Sequence, residues 1–151
     1  MAHHSKQQYS DQEIAIMKGK VCPYCGAKPE LIDSAEIYNG TSYGLMFICR
    51  PCDAYVSCHF GTETPKGRLA NAELRQLKIE AHEVFDQIWK LKYKKGRYQA
   101  YYWLSKQLQR PFDFTHIGMM DEETCRRTIA ICKQYLFQKD PEKYKEYGDY
   151  R

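Results

Sequence analysis

The sequence predicts an α+β fold, in which a three-stranded antiparallel sheet near the N-terminus packs with a C-terminal three-helix region. Hydrophobic residues alternate with a period of two between about residues 31 and 60, which is typical of strands. From Leu69 onward the period changes to about 3.6, which is typical of amphipathic helices. A length of 151 residues with 43% hydrophobic residues fits one compact fold that carries a small additional module.

The sheet is predicted from a hairpin signal. Strands over residues 31–38 and 41–48 flank Asn39 and Gly40, a pair that favours a type I′ turn because both positions must adopt positive φ. A third strand is expected over residues 54–60. Together these segments predict a three-stranded antiparallel sheet.

Four of the seven cysteines form two Cys-x-x-Cys pairs, separated by 23 residues that contain the hairpin. The pairs are Cys22 with Cys25 and Cys49 with Cys52. A tetrahedral zinc ion needs four such ligands, and two intervening residues let a tight turn aim both sulfurs at one point. We expect one structural Zn²⁺ and therefore a zinc ribbon. A redox-active dithiol is the main alternative, but it usually has one such pair within a βαβ unit.

Three helices are predicted after the ribbon. An apolar stripe predicts the first over residues 70–91, a second covers residues 97–108, and Asp121 is a plausible N-cap for a third that ends near residue 137. The predicted organisation is an N-terminal extension over residues 1–20, a zinc ribbon over 21–62, a helical region over 63–139 and a polar tail over 140–151. No helix or strand is predicted before residue 21.

Positive charge is concentrated in the middle of the chain. The formal net charge is +4, and residues 61–110 alone carry 11 basic and 5 acidic side chains. Tyrosines interleave with the cations after Trp89, a pattern that supplies both phosphate contacts and faces for base stacking. An ordinary solvated helix end is the alternative. The residues expected to contact nucleic acid are Arg68, Arg75, Lys90, Lys92, Lys94, Lys95 and Arg97.

A second set of polar residues could support acid-base chemistry or a second metal site. His82 and Asp86 are four residues apart on the first predicted helix, and the fold could bring His59 and His116 near them. The alternative is that these side chains link packed elements. Cys125 and Cys132 are too far apart along a helix to bind one zinc ion, so we expect both in the core.

The motifs CPYCG, CRPCDAYVSCHFGTETPKGRLAN, AHEVFDQIW, RYQAYYWL and HIGMMDEETC resemble, in that order, the zinc-finger-containing domain family of bacterial and phage proteins. The resemblance covers residues 21–132. It implies a zinc ribbon fused to a helical region, with Cys22, Cys25, Cys49 and Cys52 as metal ligands, but it implies no activity. It also includes positions occupied here by His59, Arg75, His82, Asp86, Arg97 and His116, without assigning them roles. Ser57 stands where the family usually has glycine.

These observations predict a zinc-binding protein that contacts nucleic acid through a basic, tyrosine-rich helical surface. One alternative is a metal-dependent hydrolase or nuclease that uses His59, His82, Asp86 and His116. Another is a phage or bacterial adaptor that binds a protein partner and uses zinc only for structure. No apolar run approaches the ~20 residues that cross a bilayer, and residues 1–20 lack the apolar core of a secretory signal. We therefore expect a cytoplasmic location, in a bacterial cell or a phage-infected host.

Overall fold

The computed structural model describes residues 10–148. The chain forms two compact units, and the boundary between them along the chain falls between Arg75 and Gln76. The first unit contains helix α1 (Asp11–Met17) and strands β1 (Glu30–Asp33), β2 (Leu45–Cys49) and β3 (Ala54–Ser57). Helix α2 (Ala72–Lys90) begins there, and the second unit continues with α3 (Arg97–Leu108) and α4 (Glu122–Lys139). The predicted α+β class is therefore confirmed.

The three strands form one antiparallel sheet in the order β1-β2-β3. Their register places Ile32 opposite Met46 and Ile48 opposite Tyr55. Successive side chains of a strand point to opposite faces, so Ile32, Met46 and Ile48 form one apolar cluster. A second cluster contains Cys22, Cys49, Ala54 and Leu69. The sheet thus has a small core on each face, one of which includes two of the predicted metal ligands.

The hairpin between β1 and β2 is wider than predicted, and the expected strands over residues 31–38 and 41–48 are too long. Asn39 and Gly40 do turn the chain with φ of 53° and 88°, but they lie at the tip of the connection over residues 34–44. The Asp33 carboxylate accepts from the Ala35 N–H at 2.8 Å, and the Ser34 hydroxyl accepts from the Tyr43 N–H at 2.7 Å. These local bonds compete with the strand ladder and end it early.

The predicted third strand is also too long, because β3 ends at Ser57 and not at residue 60. Cys58 makes an isolated bridge to Pro65, and the chain then turns with the Thr62 N–H donating to the His59 carbonyl at 3.0 Å. Cys58 is buried whereas His59 is exposed. These adjacent residues therefore point to opposite sides, as expected for an extended segment.

Helix α1 was not predicted, although its termination signals are present in the sequence. The Ser10 hydroxyl accepts from the Glu13 N–H at 3.2 Å, as an N-cap does. Gly19 has φ of +76°, and the Lys20 N–H donates to the Ala15 carbonyl, which is the pattern of a Schellman C-cap. A side chain at Gly19 would also meet the Phe47 ring at 3.0 Å. Glycine is required there for both reasons.

The second unit is a set of helices, in which a short turn joins α2 to α3 and a segment with two 3-10 helices, Phe112–Phe114 and Ile117–Met119, joins α3 to α4. Helix α2 begins two residues later and ends one residue earlier than predicted, α3 has the predicted bounds, and α4 extends two residues beyond residue 137. The Asp121 carboxylate accepts from the Thr124 N–H at 2.9 Å, so the predicted N-cap is confirmed. Cys125 and Cys132 are fully buried, as predicted.

Aromatic contacts connect the helices of this unit. The rings of Phe85 and Tyr101 lie 4.3 Å apart, and those of Trp103 and Tyr135 lie 4.6 Å apart. The described part of the tail contains a turn over residues 141–144 and then the short 3-10 helix Lys145–Tyr147. Among residues 10–148, no helix is long and apolar enough to cross a bilayer.

Candidate metal centre and basic surface

The side chains of Cys22, Cys25, Cys49 and Cys52 converge, and their four Sγ atoms all lie within 4.8 Å of one another. The Sγ atoms of Cys25 and Cys49 are 3.6 Å apart. Four thiolates at about 2.3 Å from a tetrahedral Zn²⁺ are separated by about 3.8 Å. The donor set and its spacing therefore fit one zinc ion, which would be fully enclosed by sulfur. Such a closed site supplies structural cross-linking and keeps no open position for a substrate.

The first pair of cysteines is held by a tight turn. The Gly26 N–H donates to the Cys22 carbonyl at 2.9 Å, and the Cys22 N–H donates to the Ala27 carbonyl at 2.8 Å. The Tyr24 N–H points at the Cys22 sulfur from 3.4 Å, an interaction that stabilises a thiolate ligand. Gly26 has φ of +80°, which a glycine adopts without strain.

The second pair lies at the end of β2, in a turn where the Asp53 N–H donates to the Arg50 carbonyl at 3.1 Å. Asp53 occupies the position after the second cysteine that Gly26 occupies in the first turn, and its φ is +50°. A residue with a side chain pays a penalty in this left-handed region, although aspartate tolerates it better than most. The second turn is therefore locally strained at the residue that follows Cys52.

Arg75 supports this strained residue. Its guanidinium donates to the Asp53 carbonyl at 2.7 Å, to the Asp53 carboxylate at 3.0 Å and to the Ala70 carbonyl at 2.8 Å. The same group lies 4.2 Å from the centre of the Tyr55 ring. Arg75 thus makes three hydrogen bonds within the first unit, two of them to Asp53 directly after Cys52. Its predicted role in nucleic-acid contact stays a prediction.

The pKa values of the cysteine thiols are shifted in different directions by burial and by hydrogen bonds. Burial raises the pKa of Cys52 to about 12, whereas the Ala27 N–H lowers the pKa of Cys25. Zinc binds the thiolate, so loading the site releases protons and is opposed by acid. Loss of zinc on acidification is expected for this reason.

The polar residues predicted for acid-base chemistry do not form a second metal site in the described part of the chain. Among residues 10–148, the four-cysteine group is the one set of three or more His, Cys, Asp or Glu side chains that is close enough to hold a metal. His59 lies exposed in the first unit, and His82, Asp86 and His116 belong to the second.

The His82 and Asp86 pair is loose. Nδ1 of His82 lies 3.9 Å from Oδ1 of Asp86, which is too long for a hydrogen bond. That carboxylate oxygen instead accepts from the Trp89 indole N–H at 3.0 Å. Partial burial lowers the pKa of His82 and outweighs the Asp86 carboxylate, which raises it, and the cations Lys78 and Arg97 add to the lowering.

The His116 side chain packs against two aromatic rings. Its ring lies 4.7 Å from that of Tyr101 and 6.0 Å from that of Phe112. Partial burial lowers the pKa of His116, and the positive charge of Arg97 lowers it further. These contacts favour a packing role for His116, and no observation on this cluster favours the hydrolase or nuclease alternative.

Five of the predicted nucleic-acid contacts lie together at the corner between α2 and α3. They are Lys90, Lys92, Lys94, Lys95 and Arg97. All are exposed except Lys94, whose ammonium lies 5.6 Å from the Trp103 ring centre and 5.4 Å from that of Tyr135. Arg68 belongs to the first unit, where it is half-buried and its Nε has no hydrogen-bond partner among residues 10–148.

The sequence predicts that the tyrosines after Trp89 offer faces for base stacking, but it does not single out Tyr98, Tyr102 and Lys106 as one surface. They are spaced by four residues on α3 and are all exposed, so they share one helix face. The spacing was readable from the sequence, but the exposure was not, because α3 carries aromatic residues on several sides.

Two cysteine turns at the end of a three-stranded antiparallel sheet define this chain as a zinc-ribbon protein, with one structural zinc bound by four cysteines. Residues 18–135 match the sequence profile of a family that is described as a zinc-finger-containing domain, and the chain belongs to that family. Comparison with curated proteins and comparison with solved structures each gave no significant match.

Proposed function

We propose that this zinc-ribbon protein binds nucleic acid through the corner between α2 and α3. The observation that carries the proposal is the charge of residues 87–112, which contain seven lysines and arginines and no aspartate or glutamate. Five of these cations lie within the eight residues 90–97. A cluster in which cations outnumber carboxylates, which here flank it at Asp86 and Asp113, attracts a polyanion and releases its counterions on binding.

The metal end of the ribbon is a poor alternative surface. Residues 21–60 carry two basic and four acidic side chains, and a zinc ion with four thiolates adds a charge of −2. Arg50 is paired with Glu30 at 3.5 Å and with Glu36 at 3.0 Å. The ribbon therefore acts as a rigid scaffold, and we leave Arg75 out of the contact surface because Asp53 and Ala70 use its donors.

The proposal is tested by fluorescence anisotropy with labelled oligonucleotides at about 50 mM salt. The full zinc-loaded chain is titrated into single-stranded DNA, single-stranded RNA and duplex DNA. We expect binding to at least one of them, with an affinity that falls steeply between 50 and 200 mM salt. No binding to any of the three, or binding that is insensitive to salt, would refute the proposal.

Matched charge reversals locate the surface. The double variant Lys92→Glu and Lys95→Glu changes two exposed cations of the corner, and the control Lys20→Glu and Lys28→Glu makes the same charge change at exposed positions of the first unit. We expect the corner variant to lose tenfold or more in affinity and to have a shallower salt dependence, and the control to stay within about threefold. Equal losses in both variants would indicate a general effect of net charge and contradict the assignment of the corner.

A further inference from the structure

We infer that the exposed face of α3 binds single-stranded nucleic acid by stacking bases on Tyr98 and Tyr102. This inference rests on the proposed function and specifies its ligand. The side chains of Tyr98 and Tyr102 are 69% and 50% exposed, an unusual amount of aromatic surface for two positions one helical turn apart. Lys106 continues the same face, with its ammonium 5.0 Å from the Tyr102 ring centre.

Both rings lie near the ring of Phe112, which restricts their movement, and we call the two tyrosines the platform. The Phe112 ring lies 4.8 Å from that of Tyr98 and 6.3 Å from that of Tyr102. Phe112 is itself half-buried and follows α3 in the next turn. Rings fixed in this way lose little conformational freedom when a base stacks on them, and stacking on an aromatic side chain accepts any of the bases.

A groove beside the platform has the polar groups that a nucleotide needs. It has a volume of about 410 Å³ and is lined by Lys94, Tyr98, Gln99, Tyr102 and Trp103. The Lys94 ammonium can meet a phosphate, and the Gln99 amide offers a donor and an acceptor to the edge of a base. Because α3 contains no carboxylate, nothing on this helix repels the phosphate chain.

The chemistry of the face favours a single strand over the other polyanions that a cationic corner could attract. Bases in a duplex are already stacked on one another, so their faces are closed to tyrosine rings. An acidic peptide would use the cations, but it gains nothing from two exposed aromatic faces. The occupant that uses both the rings and the cations is a single-stranded DNA or RNA segment.

The test is the double variant Tyr98→Ala and Tyr102→Ala, measured by anisotropy with a labelled 15-nucleotide strand and with a duplex hairpin. We expect the single-strand affinity to fall roughly 30-fold or more, because base–aromatic stacking contributes about fivefold or more at each of the two tyrosines. The duplex affinity should change by less than threefold, and the salt dependence should be unchanged because the phosphate contacts remain.

Two further variants separate stacking from other roles of these residues. Tyr98→Phe with Tyr102→Phe keeps the rings and should bind within about twofold of the unaltered chain. Phe60→Ala removes another exposed ring, 89% exposed in the first unit, and should have no effect. Circular dichroism and zinc content establish that each variant is folded. If the alanine variant does not fold, Tyr98→Leu with Tyr102→Leu replaces it, with the same expected loss.

Three results would overturn the inference. The alanine variant could keep its single-strand affinity, the phenylalanine variant could lose as much as the alanine variant, or poly-glutamate could compete as well as an unlabelled strand of equal charge. In each case salt-sensitive binding that persists would leave the proposed function standing. Absence of binding by the unaltered chain to every nucleic acid would instead refute both.

Discussion

Arg75 is expected to be required for tight zinc binding, although it is not a ligand. It donates to the carbonyls of Asp53 and Ala70 at 2.7 and 2.8 Å, and it supports a residue with φ of +50° directly after Cys52. In Arg75→Ala both carbonyls lose a charged donor. Because closing the ribbon and binding the metal are expected to be one event, the stability lost by the turn should appear as lost zinc affinity.

The magnitude follows from the contacts. A hydrogen bond from a charged donor contributes about 1.5–3 kcal/mol, and the lower end applies because the Arg75 side chain is 27% exposed. The ion pair with the Asp53 carboxylate, which is 71% exposed, contributes about 0–1 kcal/mol. Two carbonyl bonds give a loss of about 3 kcal/mol, which is roughly a 100-fold weaker zinc affinity.

The assay is competition for zinc against a chromophoric chelator, with circular dichroism to follow the fold. Arg50→Ala is the matched control. This exposed arginine follows Cys49 directly, and its guanidinium pairs with Glu30 and Glu36 at the surface. It should change zinc affinity by less than about fivefold.

Variants of Asp53 test the origin of the effect. Asp53→Gly should bind zinc nearly as well as the unaltered chain, because glycine adopts this φ freely, as Gly26 does in the first turn. Asp53→Ala should be weaker than Asp53→Gly by about 1–2 kcal/mol. An Arg75→Ala variant with zinc affinity within twofold of normal, or equal affinities of the two Asp53 variants, would refute the reasoning. If Arg75→Ala lost nucleic-acid affinity alone, the role predicted from the sequence would be correct instead.

Three other predictions concern residues with clear structural roles. Cys49→Ser should abolish stoichiometric zinc and unfold the ribbon while leaving much of the helical circular dichroism, since the metal supplies most of the stability of so small a sheet; retained zinc by metal analysis would contradict this. Cys132→Ala should keep one zinc per chain and lower the thermal midpoint modestly, because the buried thiol fills core space and binds no metal. Loss of zinc in that variant would overturn the ligand assignment. Asp121→Ala should cost about 1 kcal/mol in chemical denaturation because Thr124 loses its N-cap acceptor, whereas Asp113→Ala, an exposed control, should cost far less.

The parts of the fold that the sequence predicts well are those governed by periodicity and spacing. The bounds of α3 and the N-cap at Asp121 follow from an apolar pattern, a proline and a capping residue, all of which act locally. The four metal ligands follow from spacing, because two residues between cysteines let a tight turn aim both sulfurs at one point.

The errors arise where local hydrogen bonds compete with regular structure. The strand that should have reached residue 38 ends at Asp33, because Asp33 and Ser34 bond the backbone of the connection. Helix α1 was missed because its seven residues are too few for a clear periodicity, although Ser10 and Gly19 are recognisable caps.

Side-chain roles were the least predictable feature. Arg75 and Lys95 are both cationic side chains in a basic part of the sequence. Arg75 bonds Asp53, whereas Lys95 is exposed. His82 and Asp86 have the spacing of an interacting pair, but Trp89 uses the carboxylate oxygen that faces the histidine. Asp53 lies far from Arg75 along the chain, so local spacing does not reveal that contact. Spacing along α2 does not show whether Asp86 bonds His82 or Trp89.

The central claim is a zinc ion held by four cysteines, and X-ray absorption at the zinc edge of the full chain tests it most directly. We predict one zinc per chain by metal analysis and a first shell of four sulfurs at about 2.3 Å. A shell that contains nitrogen or oxygen would contradict this assignment. It would mean that a residue such as His59 replaces one of the four thiolates that the structure brings within 4.8 Å of one another.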